Sequence, residues 1–267
     1  MKFSIITPTF NSEDFIKKNL QSIHNQVGDF SLEHIIVDGN SSDNTLNIIR
    51  DFKKETNYEI KIIQGEDKNM YDAINKGLKQ VKGDVWSVLN SDDEYVDDIL
   101  SCISKKFQKN NNLEVIHGYL DVIDENNNFI KRSYTPDFSL KDLINAEKCI
   151  FIAQPTTFLR KVVINKVGYF DINYDIASDY EYMIRVVKNC KIENMKKVIT
   201  KFRRHNKSLS VIENDQNEES KNIAENYRKK FKVEKENYFF KILKYKVFNI
   251  RFINIRFIIN KYIRKMI

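Results

Sequence analysis

The sequence predicts an α/β fold: a mostly parallel, doubly wound sheet, then a smaller mixed region, then a basic helical C-terminal tail. Three observations predict it. Over the first 110 of 267 residues, short apolar runs alternate with amphipathic helical patterns in the order β-α-β-α-β-α-β-α. After residue 112 the rhythm changes to closely spaced strand-like runs with Asn-rich turns. Charge is also uneven. Of 44 Lys/Arg and 37 Asp/Glu in the chain, residues 228–267 hold 13 and 2, which leaves 31 and 35 in residues 1–227. The predicted organisation is one domain over 1–227, with halves 1–110 and 111–227, and a tail over 228–267.

The elements follow in order. Residues 3–7 are an apolar run of the kind buried in parallel sheets, ended by Pro8, Thr9, Phe10 and Asn11. Asn11 or Ser12 is placed to cap a helix running to about residue 25, with Phe15, Ile16, Leu20 and Ile23 on its apolar face. A second strand, 34–37, ends in a polar loop from Asp38 to Asn44, and a helix follows over 45–54. A third strand spans 60–63. Met70, Ala73, Ile74, Gly77, Leu78 and Val81 keep the i, i+3, i+4, i+7 rule, so a helix is expected until Gly83. A fourth strand, 85–89, stops abruptly in Asn90, Ser91, Asp92 and Asp93. An amphipathic pattern from Tyr95 to Phe107 predicts the next helix, for which Asp92 and Asp93 would also serve as caps. Beyond it, strands are expected at 114–117, 119–123, 129–130, 156–159 and 198–202, and helices at 140–145, 178–188 and 215–231.

Composition narrows the function classes. A chain that is 42% hydrophobic and 12% aromatic supports a packed core. Three widely spaced cysteines, Cys102, Cys149 and Cys190, have neither metal-ligand nor redox spacing and read as reduced thiols. The apolar start is too short for a signal peptide and is broken by Pro8, and no 18-residue uncharged apolar window suggests a membrane span. Neither G-x-G-x-x-G nor G-x-x-x-x-G-K-[ST] occurs, so dinucleotide and P-loop sites lose support.

Three strand ends nevertheless carry polar residues to one expected sheet edge: Pro8 to Asn11, Asp38-Gly39, and Asn90 to Asp93. Open α/β sheets bind ligands there. Adjacent carboxylates repel, so a divalent cation, a base or water must balance them. That combination suits a nucleotide diphosphate site built without a glycine-rich loop.

At this point the chain resembles a known family. IITPTFN (5–11), IVDGNSSD (36–43) and LNSDD (89–93) resemble the nucleotide-sugar signatures of family 2 glycosyltransferases, which have the GT-A fold. YDAINKG (71–77) is similar to the branch acting in bacterial polysaccharide and lipopolysaccharide synthesis. ASDYE (177–181), followed by Arg185, resembles the acceptor-side motif that carries the catalytic aspartate. The resemblance covers about residues 3–205. It implies that Thr7, Pro8, Thr9 and Asp38 line the base and ribose pocket, with Asp67 and Asn90 near the nucleotide. Asp92 would hold Mg²⁺ or Mn²⁺ on the diphosphate, with Asp93 the second candidate, and Asp179 would be the general base. It further implies an inverting transfer from a UDP-sugar to a glycan or lipid-linked acceptor, on the inner face of the plasma membrane. Two residues depart from the pattern. Asn90 replaces the first aspartate of D-x-D, and Asn69 stands where Gly is common.

Two competing functions keep less support. A sugar-nucleotide pyrophosphorylase calls for a Gly-rich phosphate loop with an early basic residue, and residues 7–9 supply neither. A nucleic-acid arm would use the basic, aromatic tail, but the tail is also rich in Ile and follows an acidic domain. Its repeat, NIRFI at 249–253 and 254–258, steps about 140° per five residues, which scatters the cations round a helix. Contact with an anionic membrane through snorkelling Lys and Arg is therefore the expectation for the tail, with no nucleic-acid partner.

Overall fold

The computed structural model describes residues 1–147, 151–206 and 216–236. Cys149 and the NIRFI repeat lie outside these residues, as does most of the tail with its expected membrane contact.

The elements are β1 (Lys2–Thr9), α1 (Ile16–His24), β2 (Ser31–Asp38), α2 (Thr45–Glu55), β3 (Glu59–Gln64), α3 (Met70–Leu78), β4 (Val85–Val88), β5 (Glu94–Tyr95), α4 (Ile99–Lys109), β6 (Val115–Ile123) and β7 (Phe129–Ser133). After these come α5 (Leu140–Ala146), a 3₁₀ turn (Gln154–Thr156), β8 (Phe158–Arg160), α6 (Val162–Val167), α7 (Ser178–Asn189), β9 (Ile192–Arg203) and α8 (Gln216–Phe231). They build one sheet in the order β3-β2-β1-β4-β8-β6-β9-β5, with β7 paired to β6. The strands β3, β2, β1 and β4 are mutually parallel, as are β6 and β9. The short β8 runs antiparallel to both β4 and β6 and joins the two halves.

Helices cover both faces. Ile36 packs with Ile16 and Leu20 of α1 and Ile49 of α2. Ile35 and Val37, facing the other way, pack with Ile74 and Leu78 of α3. On β1, Phe3 and Ile5 meet Ile99, Leu100 and Ile103 of α4, while Ile6 meets α3. The alternation is the period-2 geometry of a strand buried on both sides. Helix α3 lies unusually close to β1: a Cβ on Gly77 would come within 2.5 Å of Ile6 Cγ2.

Five differences from the sequence reading appear. The first helix begins at Ile16, because residues 11–13 are tied to the loop after β2. Asn11 takes a left-handed φ of 46° and its Oδ1 accepts from Ser42 N–H at 2.8 Å. Ser12 N–H donates to Thr45 Oγ1 at 2.7 Å, and Glu13 Oε2 accepts from Asn44 N–H at 2.9 Å. The helix expected from Tyr95 begins at Ile99, because Glu94 and Tyr95 pair antiparallel with Lys201 and Thr200. Asp92 and Asp93 therefore cap no helix. Residues 115–123 form one strand, with register shifts against β9 around Tyr119 where two strands were expected. Helix α6 was not anticipated. At its far end the domain runs past residue 227: α8 continues to Phe231, Asn145 Nδ2 donates to Glu234 C=O at 3.2 Å, and Lys141 pairs with Glu236 at 2.7 Å.

Candidate active site

A cavity of about 1260 Å³ opens beyond the carboxyl ends of β1, β2 and β4. Pro8, Thr9 and Phe10 form one wall, Gly39 and Asp67 the next, and Asn90, Ser91 and Asp92 a third. Asp175 to Ala177, Asp179, Tyr180 and Ser220 also line the cavity, as do Leu120, Val122, Lys131 and Phe202. The residue groups predicted from separate halves of the sequence thus border one space.

Six of the predicted residues stand in its wall: Pro8, Thr9, Asp67, Asn90, Asp92 and, from the second half of the chain, Asp179. Three do not. Thr7 turns inward, with its hydroxyl 2.8 Å from Nε2 of the buried His34. Burial holds that imidazole neutral, its pKa lowered to about 3. Asp38 is fully buried and closes a turn instead of facing the cavity: its carboxylate accepts the N–H and hydroxyl of Ser41, at 2.9 and 2.5 Å. Its neighbour Gly39 lines the cavity in its place. Asp93, the second metal candidate, is also fully buried, and its Oδ1 accepts Arg203 N–H at 2.9 Å. Burial first, and the adjacent Asp92 second, push its carboxyl well above the usual range.

Asp92 stays at the surface of the cavity. Its Oδ2 lies 3.0 Å from His205 Nε2, and the His205 ring rests on Phe15 with centroids 4.7 Å apart. His205, two residues past the end of β9, is part of the cavity wall. Beneath them Arg203 is completely buried. It donates to Asp92 C=O at 2.9 Å and Asp124 C=O at 3.0 Å, forms an ion pair with Glu94, and stacks over Phe15. One side chain so fixes the strand end, the hairpin turn and the aromatic floor.

Two buried acceptors in this wall, Thr9 Oγ1 and Asn90 Oδ1, have no hydrogen-bond partner among the described residues. Unsatisfied buried polar atoms are costly and commonly mark a ligand's place. Asp92, His205 and the Asn90 amide are the residues able to hold a divalent cation. Among the described residues no cluster of three or more His, Cys, Asp or Glu does so unaided. The donor set therefore fits a cation that takes its remaining oxygens from substrate phosphates, the usual manner for Mg²⁺.

Asp179 sits in the first turn of α7. Its Oδ1 accepts Tyr180 N–H at 2.7 Å and faces the Tyr71 hydroxyl at 3.4 Å. Desolvation by its surroundings lifts its pKa to about 6, against the pull of those donors. Asp67 is held by Lys76 at 2.6 Å. Asn69 caps α3 by accepting Asp72 N–H at 3.1 Å and reaches across to Ile172 C=O at 3.1 Å and Asp175 at 3.0 Å. The departure from Gly at this position has a structural use.

Comparison with known proteins bears on the family and the fold. A family model described as "Glycosyl transferase family 2" matches residues 4–168. A PGL/p-HBAD biosynthesis glycosyltransferase from Mycobacterium bovis (strain BCG / Pasteur 1173P2) is 30% identical over 189 residues, 70% of each chain. A Methanococcus voltae protein, dolichyl N-acetyl-alpha-D-glucosaminyl phosphate 3-beta-D-2,3-diacetamido-2,3-dideoxy-beta-D-glucuronosyltransferase, is 26% identical over 69% of this chain and 61% of its own. Among solved structures, S. aureus TarS 1–349 in complex with UDP-GlcNAc superposes with a TM-score of 0.64 at 22% identity, covering 82% of this chain and 64% of that one.

Proposed function

Since the chain belongs to glycosyl transferase family 2, we propose that it moves a sugar from a UDP-sugar to a hydroxyl of a glycan or lipid-linked acceptor, with inversion, in bacterial surface polysaccharide synthesis. The observation that carries this reading is the single cavity lined both by Asp92, with His205 beside it, and by Asp179. The donor reading draws on the UDP-GlcNAc held by the TarS neighbour, and the lipid-linked acceptor on the dolichyl phosphate in the Methanococcus voltae relative's name.

The chemistry follows from these residues. An acceptor hydroxyl is a weak nucleophile, and Asp179 is placed to take its proton as the oxygen attacks the anomeric carbon. A pKa of about 6 leaves this carboxylate ionised at neutral pH yet basic enough to share the proton. Attack from the face opposite the diphosphate inverts the anomeric centre in one displacement, so one base suffices. Thr9 and Asn90 offer their unpartnered oxygens to the donor, and Asp67 is held by Lys76 beside it. Mg²⁺ or Mn²⁺ bound at Asp92 and His205 would neutralise charge on the leaving diphosphate.

A panel of UDP- and GDP-sugars with Mn²⁺, scored for nucleotide release, tests the reading. Asp179→Asn should lower the rate about 10²- to 10⁴-fold, the range of a general base. Asp92→Ala should abolish the response to Mn²⁺. Release undiminished in both variants would rule the site out. No helix among the described residues is long and apolar enough to cross a membrane. Residence on the inner membrane face is part of the proposal and rests on the tail's charge.

A further inference from the structure

Helix α7 starts without a capping side chain of its own: its N-cap residue is Ala177. The N–H groups of the turn that leads into it, residues 175–177, are met from another element. Glu219 of α8 accepts Asp175 N–H through Oε1 at 2.9 Å, and Ile176 and Ala177 N–H through Oε2 at 3.0 and 2.9 Å. Three charge-assisted bonds to one carboxylate fix the turn more firmly than an ordinary serine or aspartate cap. The turn then passes the constraint on. Ile176 C=O accepts the Tyr71 hydroxyl at 2.7 Å, and that hydroxyl faces Asp179 Oδ1. Glu219 itself is held in place because α8 is pinned to the domain. Tyr227 donates to Glu181 at 2.5 Å, Arg228 pairs with Glu147 at 2.9 Å, and Ser220 reaches the cavity wall.

We propose that Glu219 is a positioning residue for Asp179, a carboxylate supplied by α8 that sets the 175–177 turn and, through it and Tyr71, the orientation of the base. This rests on the reading of Asp179 as the base. It extends the working site to α8 which, like Asp179 itself, lies beyond the residues matched by the family model. The titratable and charged groups round Asp179 are Tyr71 from α3, Glu219 from α8, Asp175 in the turn, and Glu181, paired with Arg185, on its own helix. The negative charge of Glu219 adds to the rise in the Asp179 pKa.

The test compares the full chain with Glu219→Gln, Glu219→Asp, Asp179→Asn and the exposed neighbour Glu218→Gln. Amide hydrogen exchange needs no substrate. In Glu219→Gln the amides of 175–177 should exchange at least tenfold faster, with the β-sheet unchanged. Nucleotide release is then followed from UDP-glucose, UDP-galactose, UDP-N-acetylglucosamine and GDP-mannose with Mn²⁺. In Glu219→Gln, kcat should fall at least tenfold while the donor KM stays within twofold, and the acid limb of the pH profile should move to lower pH. Glu219→Asp should recover part of the rate, and Glu218→Gln should match wild type. Unchanged exchange at 175–177, or loss of rate that only tracks unfolded protein with the acid limb in place, overturns the proposal. An inactive Asp179→Asn beside a fully active Glu219→Gln removes the role of Glu219 alone. An Asp179→Asn that turns over at the wild-type rate removes the base and this inference with it.

Discussion

Asp179 shows how a residue's environment joins stability to activity. Its carboxyl is raised above an ordinary value of 3.8 to about 6, so the unfolded chain ionises before the folded one does. The folded state thus loses stability as pH rises from about 4 to about 6 and keeps that loss above it. The loss amounts to at most about 3 kcal/mol. Asp179→Asn should therefore melt several degrees higher than wild type at pH 8, and at the same temperature near pH 4, while losing its activity. Paired melting curves at the two pH values check this, and an equal difference at both would show that the carboxylate is not strained by its surroundings. Activity should report the same group from the other side, with kcat/KM falling below about pH 6 as Asp179 takes up a proton. Sequence made Asp92 and Asp179 visible because each sits in a short pattern. It could not place Thr7, Asp38 or Asp93. Residues 3–9 of β1 are all buried, so the usual alternation that tells one strand face from the other is absent. Asp38 sits where a turn closure and a ligand contact demand the same residue type, and Ser41, three positions on, decides between them.

At the level of elements, α3 is held at both ends by side chains chosen for fit. Asn69→Gly removes its cap and the bonds to Ile172 and Asp175. The expected cost is about 1–2 kcal/mol, read as a lower denaturation midpoint with an unchanged slope. Gly77→Ala places a methyl against the buried Ile6. Overpacking of ~1–3 kcal/mol should outweigh the ~1 kcal/mol that Ala contributes to helix propensity, so the variant should melt below wild type. Elements with partners nearby in sequence were legible from periodicity, as α2, α3 and α7 show. Those decided by distant partners were not. Tyr95 opens an amphipathic helical pattern on paper, yet strand pairing of Glu94 and Tyr95 to Lys201 and Thr200 overrides it. The role of Glu219 was hidden for the same reason. It sits in a highly charged helix, where one carboxylate among many gives no signal until its three N–H partners are seen.

For the whole molecule, the tail is a separable experiment. Contacts of the domain run to Glu236, so protein ending there keeps α8 and the Lys141 pair intact. The full chain should float with vesicles containing anionic lipid, less so as salt rises, and residues 1–236 should float markedly less. Equal flotation of the two would place membrane contact elsewhere. The sheet order carries a last consequence, for the way the chain acquires its structure. Strands β1 to β4 pair with one another within the first 90 residues, whereas the fastening of the β4 end is completed by Arg203, more than 100 residues later, which reaches Asp92, Asp93 and Glu94. Contacts so far apart form late, because the loop between them must be closed first. During synthesis on the ribosome, then, the nascent polypeptide can assemble its first four strands well before Asp92 is locked in place. Catalytic competence would arrive late in maturation, after β9 has joined the sheet and α8 has brought Glu219 to the 175–177 turn.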